Sequence, residues 1–144
     1  SMLRRFDAYD EYIFPIEVSE TREVSGGKSL VFQRHKVFGF APRETPIWMA
    51  IKDSPPGFEV TWSAAEDRGF RLQPGAVQLR INEGCWLVAA RVGGGVTIAH
   101  EVRVDAGGGL PEWFVRFFRT RGFIRIMNSV RALADEGSEA SNAR

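Results

Sequence analysis

The sequence predicts an α+β domain in which a curved antiparallel sheet is followed by one long C-terminal helix that packs against it. Three observations predict this. Apolar and polar residues alternate with the period of two that a half-buried strand requires, clearest in Phe58, Val60 and Trp62 against Glu59, Thr61 and Ser63. Glycine clusters at 26–27, 93–95 and 107–109 punctuate the strand-like stretches. After Gly109 the apolar period changes to that of a helix, and the residues become strongly aromatic.

The elements follow in order. Residues 6–14 read as a short amphipathic helix or an irregular lead-in. Ile16–Val24 and Lys28–Phe38 read as strands joined by a turn at Ser25-Gly26-Gly27. Pro42, Pro46, Pro55 and Pro56 leave only Ile47–Lys52 as a short strand between them, and Phe58–Ser63 follows. Val77, Leu79 and Ile81 share one face, Asn82-Glu83-Gly84 suggests a hairpin turn, and Trp86–Arg91 returns. Past Gly93–Gly95, Val96, Ile98, His100, Val102 and Val104 share a strand face. Six or seven antiparallel strands in meander order is the economical reading. Leu110-Pro111-Glu112 then opens the helix, with proline early and an acid in the first turn. The helix reaches about Asp135, and 136–144 is a polar tail, so residues 3–135 form one domain.

Phase arithmetic predicts that this helix is not regular. At about 100° per residue, Leu110, Trp113, Phe114, Phe117 and Phe118 share a stripe. Beyond Gly122 the apolar residues Phe123, Met127, Val130 and Ala134 fall on nearly the opposite side. A straight helix cannot bury both stripes against one sheet. A kink, break or offset is expected at Arg121-Gly122, with helix over about 110–120 and 123–135.

The last sixty residues carry a resemblance. Asn82-Glu83-Gly84-Cys85-Trp86-Leu87, a glycine turn, Thr97–Val104, and then Asp105-Ala106-Gly107-Gly108-Gly109-Leu110-Pro111-Glu112-Trp113-Phe114-Val115 resemble the C-terminal half of a START domain. Upstream, Leu30-Val31-Phe32-Gln33-Arg34 is similar to the strand that leads to an Arg-Asp pair in that family, with Arg43-Glu44 in its place here. The resemblance covers about Ile16–Asp135. It implies a helix-grip fold, a sheet wrapped around the terminal helix, that encloses a lipid- or sterol-sized ligand without acting on it. Full-length START domains begin with a helix and further strands ahead of the point matching Phe6. This chain lacks them and reads as a fragment, as a short bacterial-type variant, or as one whose missing edge another subunit supplies; an exposed sheet edge is expected, and with it a homodimer or strand swap.

Composition bounds the function. With 44% hydrophobic residues in 144, the chain can build a sizeable core. A net charge of +1 gives no global field for nucleic acid, and no nucleic-acid partner is expected. No run of about eighteen apolar residues marks a membrane span. Asp7, Asp10 and Glu11 interrupt the N-terminal apolar residues, unlike a signal peptide. The lone Cys85 excludes an intrachain disulfide framework and suits the cytoplasm. There is no G-x-S-x-G elbow, no phosphate loop and no zinc-ligand spacing; no cofactor, no metal and no catalytic residue are predicted.

The residues nominated for ligand contact are Arg43, Trp48, Trp62, Leu79, Ile81, His100, Trp113, Phe114 and Phe117, with Trp62, Leu79, Trp113 and Phe117 lining the cavity between sheet and helix. Each has a plainer reading. Most of the aromatic residues serve as core, and His100 is either a core histidine bonded to a neighbour or a ligand contact. Arg43 and Glu44 either pair with each other near the surface, or Arg43 reaches a lipid head group or stabilises a buried carboxylate. The arginines at 116, 119, 121, 125 and 131 give the helix a basic bias, solvated by default but suited to transient contact with anionic lipid, worth about 1 kcal/mol per residue. The alternative function is a cyclase or aromatase type of enzyme using His35, His100, Arg43 or Glu44 as acid and base, which requires those groups to converge.

Overall fold

The computed structural model describes residues 2–66, 68 and 70–142. Short helical turns at Met2–Arg4 and Phe6–Ala8 lead into a one-turn helix, α1 (Tyr9–Tyr12). Seven strands follow: β1 (Ile16–Ser25), β2 (Lys28–His35), β3 (Arg43–Ser54), β4 (Gly57–Ala64), β5 (Val77–Gln78), β6 (Ile81–Ala90) and β7 (Val96–Asp105). They form one sheet in the order β1-β2-β3-β4-β6-β7. The chain closes with α2 (Glu112–Phe117) and α3 (Phe123–Asn142), joined by a wide π-helical turn over Phe118–Gly122.

The meander is antiparallel, as the alternation implies, apart from β5. That short strand pairs in parallel with the start of β3, Arg43 opposite Val77 and Glu44 opposite Gln78. The β1–β2 turn works because Gly26 and Gly27 both take positive φ, 57° and 75°, which a tight hairpin turn demands and other residues resist.

Two strand boundaries differ from expectation. Proline does not confine β3 to Ile47–Lys52; the strand runs from Arg43 through Pro46. It can, because β4 pairing begins only at Ile47–Ala64, so the missing Pro46 N–H faces no neighbouring strand there. Asn82-Glu83-Gly84 is not a turn. All three sit inside β6, with Asn82 opposite Val104 and Gly84 opposite Val102. The glycine serves a close approach instead: a Cβ at Gly84 would lie 2.2 Å from the Glu101 carbonyl oxygen and 2.7 Å from the Trp62 ring.

The core joins three sources. The sheet contributes Val31, Ile47, Met49, Val60 and Trp86. The N-terminal lead-in contributes Leu3, Phe6, Tyr9 and Ile13, tied down by Tyr9 Oη donating to the Leu3 carbonyl at 2.7 Å and Ser19 Oγ donating to the Phe6 carbonyl at 2.6 Å. The helix contributes Ile126 and Val130.

The expected irregularity at Gly122 is an offset, not a break. The wide turn absorbs one extra residue and sets the phase back by about 100°. Phe114, Phe118, Phe123, Ile126 and Val130 then fall within an arc of about 80°. A Cβ at Gly122 would come within 3.1 Å of the Phe118 ring, so glycine lets that ring lie against the turn. The Thr120 hydroxyl lies 3.1 and 3.2 Å from the Arg116 and Phe117 carbonyls, serving oxygens that the wide turn leaves short of donors. The helix backbone continues to Asn142, past the expected end near Asp135; residues 143 and 144 of the expected tail lie outside the described residues.

Candidate functional site

Between the inner face of the sheet and the α2–α3 helix lies a pocket of about 1070 Å³. Strand alternation decides what faces it. On β3, Arg43, Ile47 and Met49 line the pocket; on β6, Asn82 and Trp86 do; β4 adds Trp62 and β7 adds His100. The helix closes it with Phe114, Phe118, Phe123 and Ile126, and the lead-in adds Tyr9, Ile13 and Phe14. The exposed Arg80, Glu101, Arg103 and Arg119 lie on its outer part.

Of the nominated residues, Arg43, Trp62, Leu79, His100 and Phe114 line this pocket. Trp48, Ile81, Trp113 and Phe117 do not. Trp48 lies between the inward Ile47 and Met49, so it faces the other side of the sheet, where the Arg68 guanidinium sits 5.3 Å from its ring. Ile81 fails for the same reason beside the inward Asn82: the chain leaves strand geometry at Leu79 and Arg80, and the parity changes. Trp113 and Phe117 lie on the outer flank of the helix, 66% and 52% exposed, because Phe114 and Phe118 take the inward positions.

At the centre is a stack of rings. The His100 imidazole lies 3.7 Å from Trp86, centroid to centroid, and 5.6 Å from both Trp62 and Phe123, all near parallel. Its Nδ1 is 3.2 Å from the Cys85 carbonyl oxygen. His100 is thus bonded to a neighbour, as the plainer reading has it, and also forms part of the pocket wall. Burial pulls its pKa below the usual histidine value, outweighing the opposing bond to Cys85.

Beside it, Trp62 Nε1 donates to Asn82 Oδ1 at 3.0 Å. Asn82 is buried, and its Nδ2 has no hydrogen-bond partner among the described residues. The sequence pointed to neither Asn82 nor its bond, since it read Asn82 as a turn residue.

Arg43 and Glu44 do not pair with each other; adjacent on a strand, they face opposite sides. Arg43 is buried, and its guanidinium donates to the carbonyls of Ala106 at 3.0 Å, Ala41 at 2.5 Å and Gly108 at 3.1 Å. It clips the glycine turn between β7 and α2 to the start of β3. Burial lowers its pKa from the usual value. Glu44 accepts the Gln73 N–H at 2.9 Å and lies 3.7 Å from Arg34, which is directly opposite on β2.

His35 also lines the pocket, and its Nε2 lacks a partner among the described residues. Burial pushes its pKa from 6.5 down to about 4. Between those values the unfolded chain binds a proton that the folded chain refuses. The stability that neutral His35 allows is complete above pH 6.5 and is withdrawn as pH falls toward 4, by at most about 3 kcal/mol. His35→Gln should flatten that slope. Urea unfolding of both proteins at pH 7 and pH 4.5 measures it, and parallel losses in the two would contradict the assignment.

Of the four groups that acid–base chemistry would need, His35, Arg43 and His100 line the pocket and Glu44 does not. Burial raises the Cys85 thiol pKa, with Glu101 and Glu59 adding to it, so the thiolate is disfavoured. Among the described residues no three His, Cys, Asp or Glu side chains come together as metal ligands, and no helix is long and apolar enough to cross a membrane.

No family model matches the sequence, and no curated protein matches it. Solved structures do match the fold. A STAR-related lipid transfer protein fragment from Xanthomonas axonopodis superposes with a TM-score of 0.77 at 15% identity, covering 93% of this chain and 76% of that one. Human STARD10 gives 0.74 at 9% identity, over 99% of this chain and 61% of that one. Human StAR-related lipid transfer protein 5 gives 0.73 at 14%, over 90% and 64%. The chain thus spans less than two thirds of the length of either human structure. An antiparallel meander, a terminal helix laid across its inner face and these superpositions agree: the chain has the helix-grip fold of START domains.

Proposed function

We propose that the chain binds a hydrophobic ligand, a lipid, sterol or similar molecule, between the sheet and the terminal helix, and carries it without altering it. The carrying observation is the pocket of about 1070 Å³, walled by Ile47, Met49, Trp86, Phe114, Phe118 and Ile126. It lies just above the roughly 300–1,000 Å³ usual for small-molecule sites. Each methylene a ligand buries there contributes about 0.8 kcal/mol. The lipid-transfer proteins that share the fold support this reading.

Transfer also needs contact with a membrane surface. Trp113, Phe117 and Ile124 are exposed on the helix among Arg116, Arg121 and Arg125, a composition suited to brief docking on anionic lipid. The edge strands β1 and β7 each have one unpaired side, on which a homodimer or strand swap would form. The unpaired Cys85 suits the cytoplasm.

Native mass spectrometry of protein purified from its own cells tests the reading. The expected result is a retained hydrophobic adduct that leaves the protein intact on denaturation. Recovery of bare protein that also takes up nothing from lipid vesicles would sink it. An adduct returned chemically changed would favour instead the cyclase or aromatase reading, for which the partnerless His35 Nε2 is the supporting observation.

A further inference from the structure

We infer that the ligand is a neutral molecule that presents a hydrogen-bond-accepting oxygen to Asn82, at the level of the Trp62 ring; this rests on the hydrophobic-ligand reading above. The orientation of the Asn82 amide is fixed by chemistry. The indole Nε1 of Trp62 can only donate, so the Asn82 atom 3.0 Å from it must be the oxygen, Oδ1. The other end of the amide is then the NH₂ group. It belongs to a side chain only 4% exposed, it lines the pocket, and it has no acceptor among the described residues. A buried donor without an acceptor is costly, so a ligand that brings an oxygen there gains over one that does not.

The charge of the ligand follows from the neighbours. Arg43 already donates to three carbonyls, so its guanidinium is committed to the fold. His35 and His100 line the pocket in neutral form, since burial lowers both. The remaining lining cations, Arg80, Arg103 and Arg119, are exposed on the outer part, and Arg103 is paired with Glu83 at 3.1 Å. An anionic head group at Asn82 would lose its water and gain no cation. A ketone, ester, amide or hydroxyl oxygen fits that position; a carboxylate, a phosphate or a bare hydrocarbon does not.

The test uses four ligands on one skeleton, hexadecane, 2-hexadecanone, 1-hexadecanol and palmitate, each competing with 1-dodecylpyrene for the full chain. The ketone and the alcohol should bind roughly threefold to tenfold more tightly than the hydrocarbon, and palmitate should gain nothing over the alcohol. Asn82→Leu alone strands the indole N–H, so the variant of choice is Asn82→Leu in a Trp62→Phe background, which removes both partners of the bond. Trp62→Phe alone should still prefer ketone to hydrocarbon; the double variant, folded by near-ultraviolet circular dichroism, should not. Equal binding of ketone and hydrocarbon by the parent, or a ketone preference that survives in the double variant, overturns the inference and leaves the carrier reading standing, as does palmitate binding most tightly. Failure of dodecylpyrene and all four ligands to bind removes both.

Discussion

Arg43→Leu should lower the stability of the chain by about 3 kcal/mol, read as a fall in the urea midpoint at constant slope. A hydrogen bond from a charged donor contributes about 1.5–3 kcal/mol, and Arg43 makes three to backbone carbonyls. Much of the loss is recovered because water can reach the freed turn at Ala106 and Gly108, which brings the expectation below the sum of three such bonds. Arg43→Lys should restore little. Lysine presents its donors from one nitrogen and cannot span carbonyls on two separate segments, Ala41 on one side and Ala106 with Gly108 on the other. A loss below about 1 kcal/mol in Arg43→Leu would mean that the turn before the helix is held by something other than this guanidinium.

Inserting one alanine after Arg121 should cost more, about 3–5 kcal/mol, while Arg121→Ala stays within about 0.5 kcal/mol. The side chain is exposed, so its chemistry matters little. Its place in the count matters. The Phe118–Gly122 turn already absorbs one residue beyond the regular α-helix, and deleting one there would leave α3 in its present phase; a further residue, taken up as one more helical step, rotates everything after it by about 100°. Ile126 and Val130, both in the core cluster, would turn out of it, and each is worth about 1.5–3 kcal/mol when buried. Thermal and urea unfolding of the two variants side by side measure the difference. An insertion as mild as the alanine change would show that the wide turn is not what sets the phase of α3.

That offset was legible in the sequence because a helix has a fixed angular step, and two apolar stripes out of phase can be added up residue by residue. Which stripe faces the sheet was not legible. Leu110, Trp113, Phe114, Phe117 and Phe118 cover a broad arc, and nothing local distinguishes the Phe114–Phe118 line, which turns inward, from the Trp113–Phe117 line, which does not. The strands repeat the lesson. Phe58, Val60 and Trp62 alternate with polar residues, and their strand could be read directly. On β3 both parities are apolar around Ile47, Trp48 and Met49, so the inward face is set only by pairing with β2 and β4, and Trp48 was assigned to the wrong one. Gly84 misled for a different reason. Glycine is needed where a turn takes positive φ and also where two chains come unusually close, and sequence does not separate those needs. The Trp62–Asn82 bond depends on that approach across β4 and β6, so the partnerless amide of the pocket was hidden with it.

The pocket is walled unevenly. No residue of β7 or α2 is fully buried, whereas β3, β4 and the N-terminal lead-in hold most of the sealed core. Substitutions on β7 and α2 thus act mainly on surfaces where a change usually amounts to less than about 0.5 kcal/mol, while those on β3 touch the residues that keep the chain folded. Tolerance to substitution therefore differs between the two sides of the pocket. Such a difference leaves the β7–α2 flank free to vary: mutation there can reshape the outer wall of the pocket while drawing little on a narrow reserve of stability.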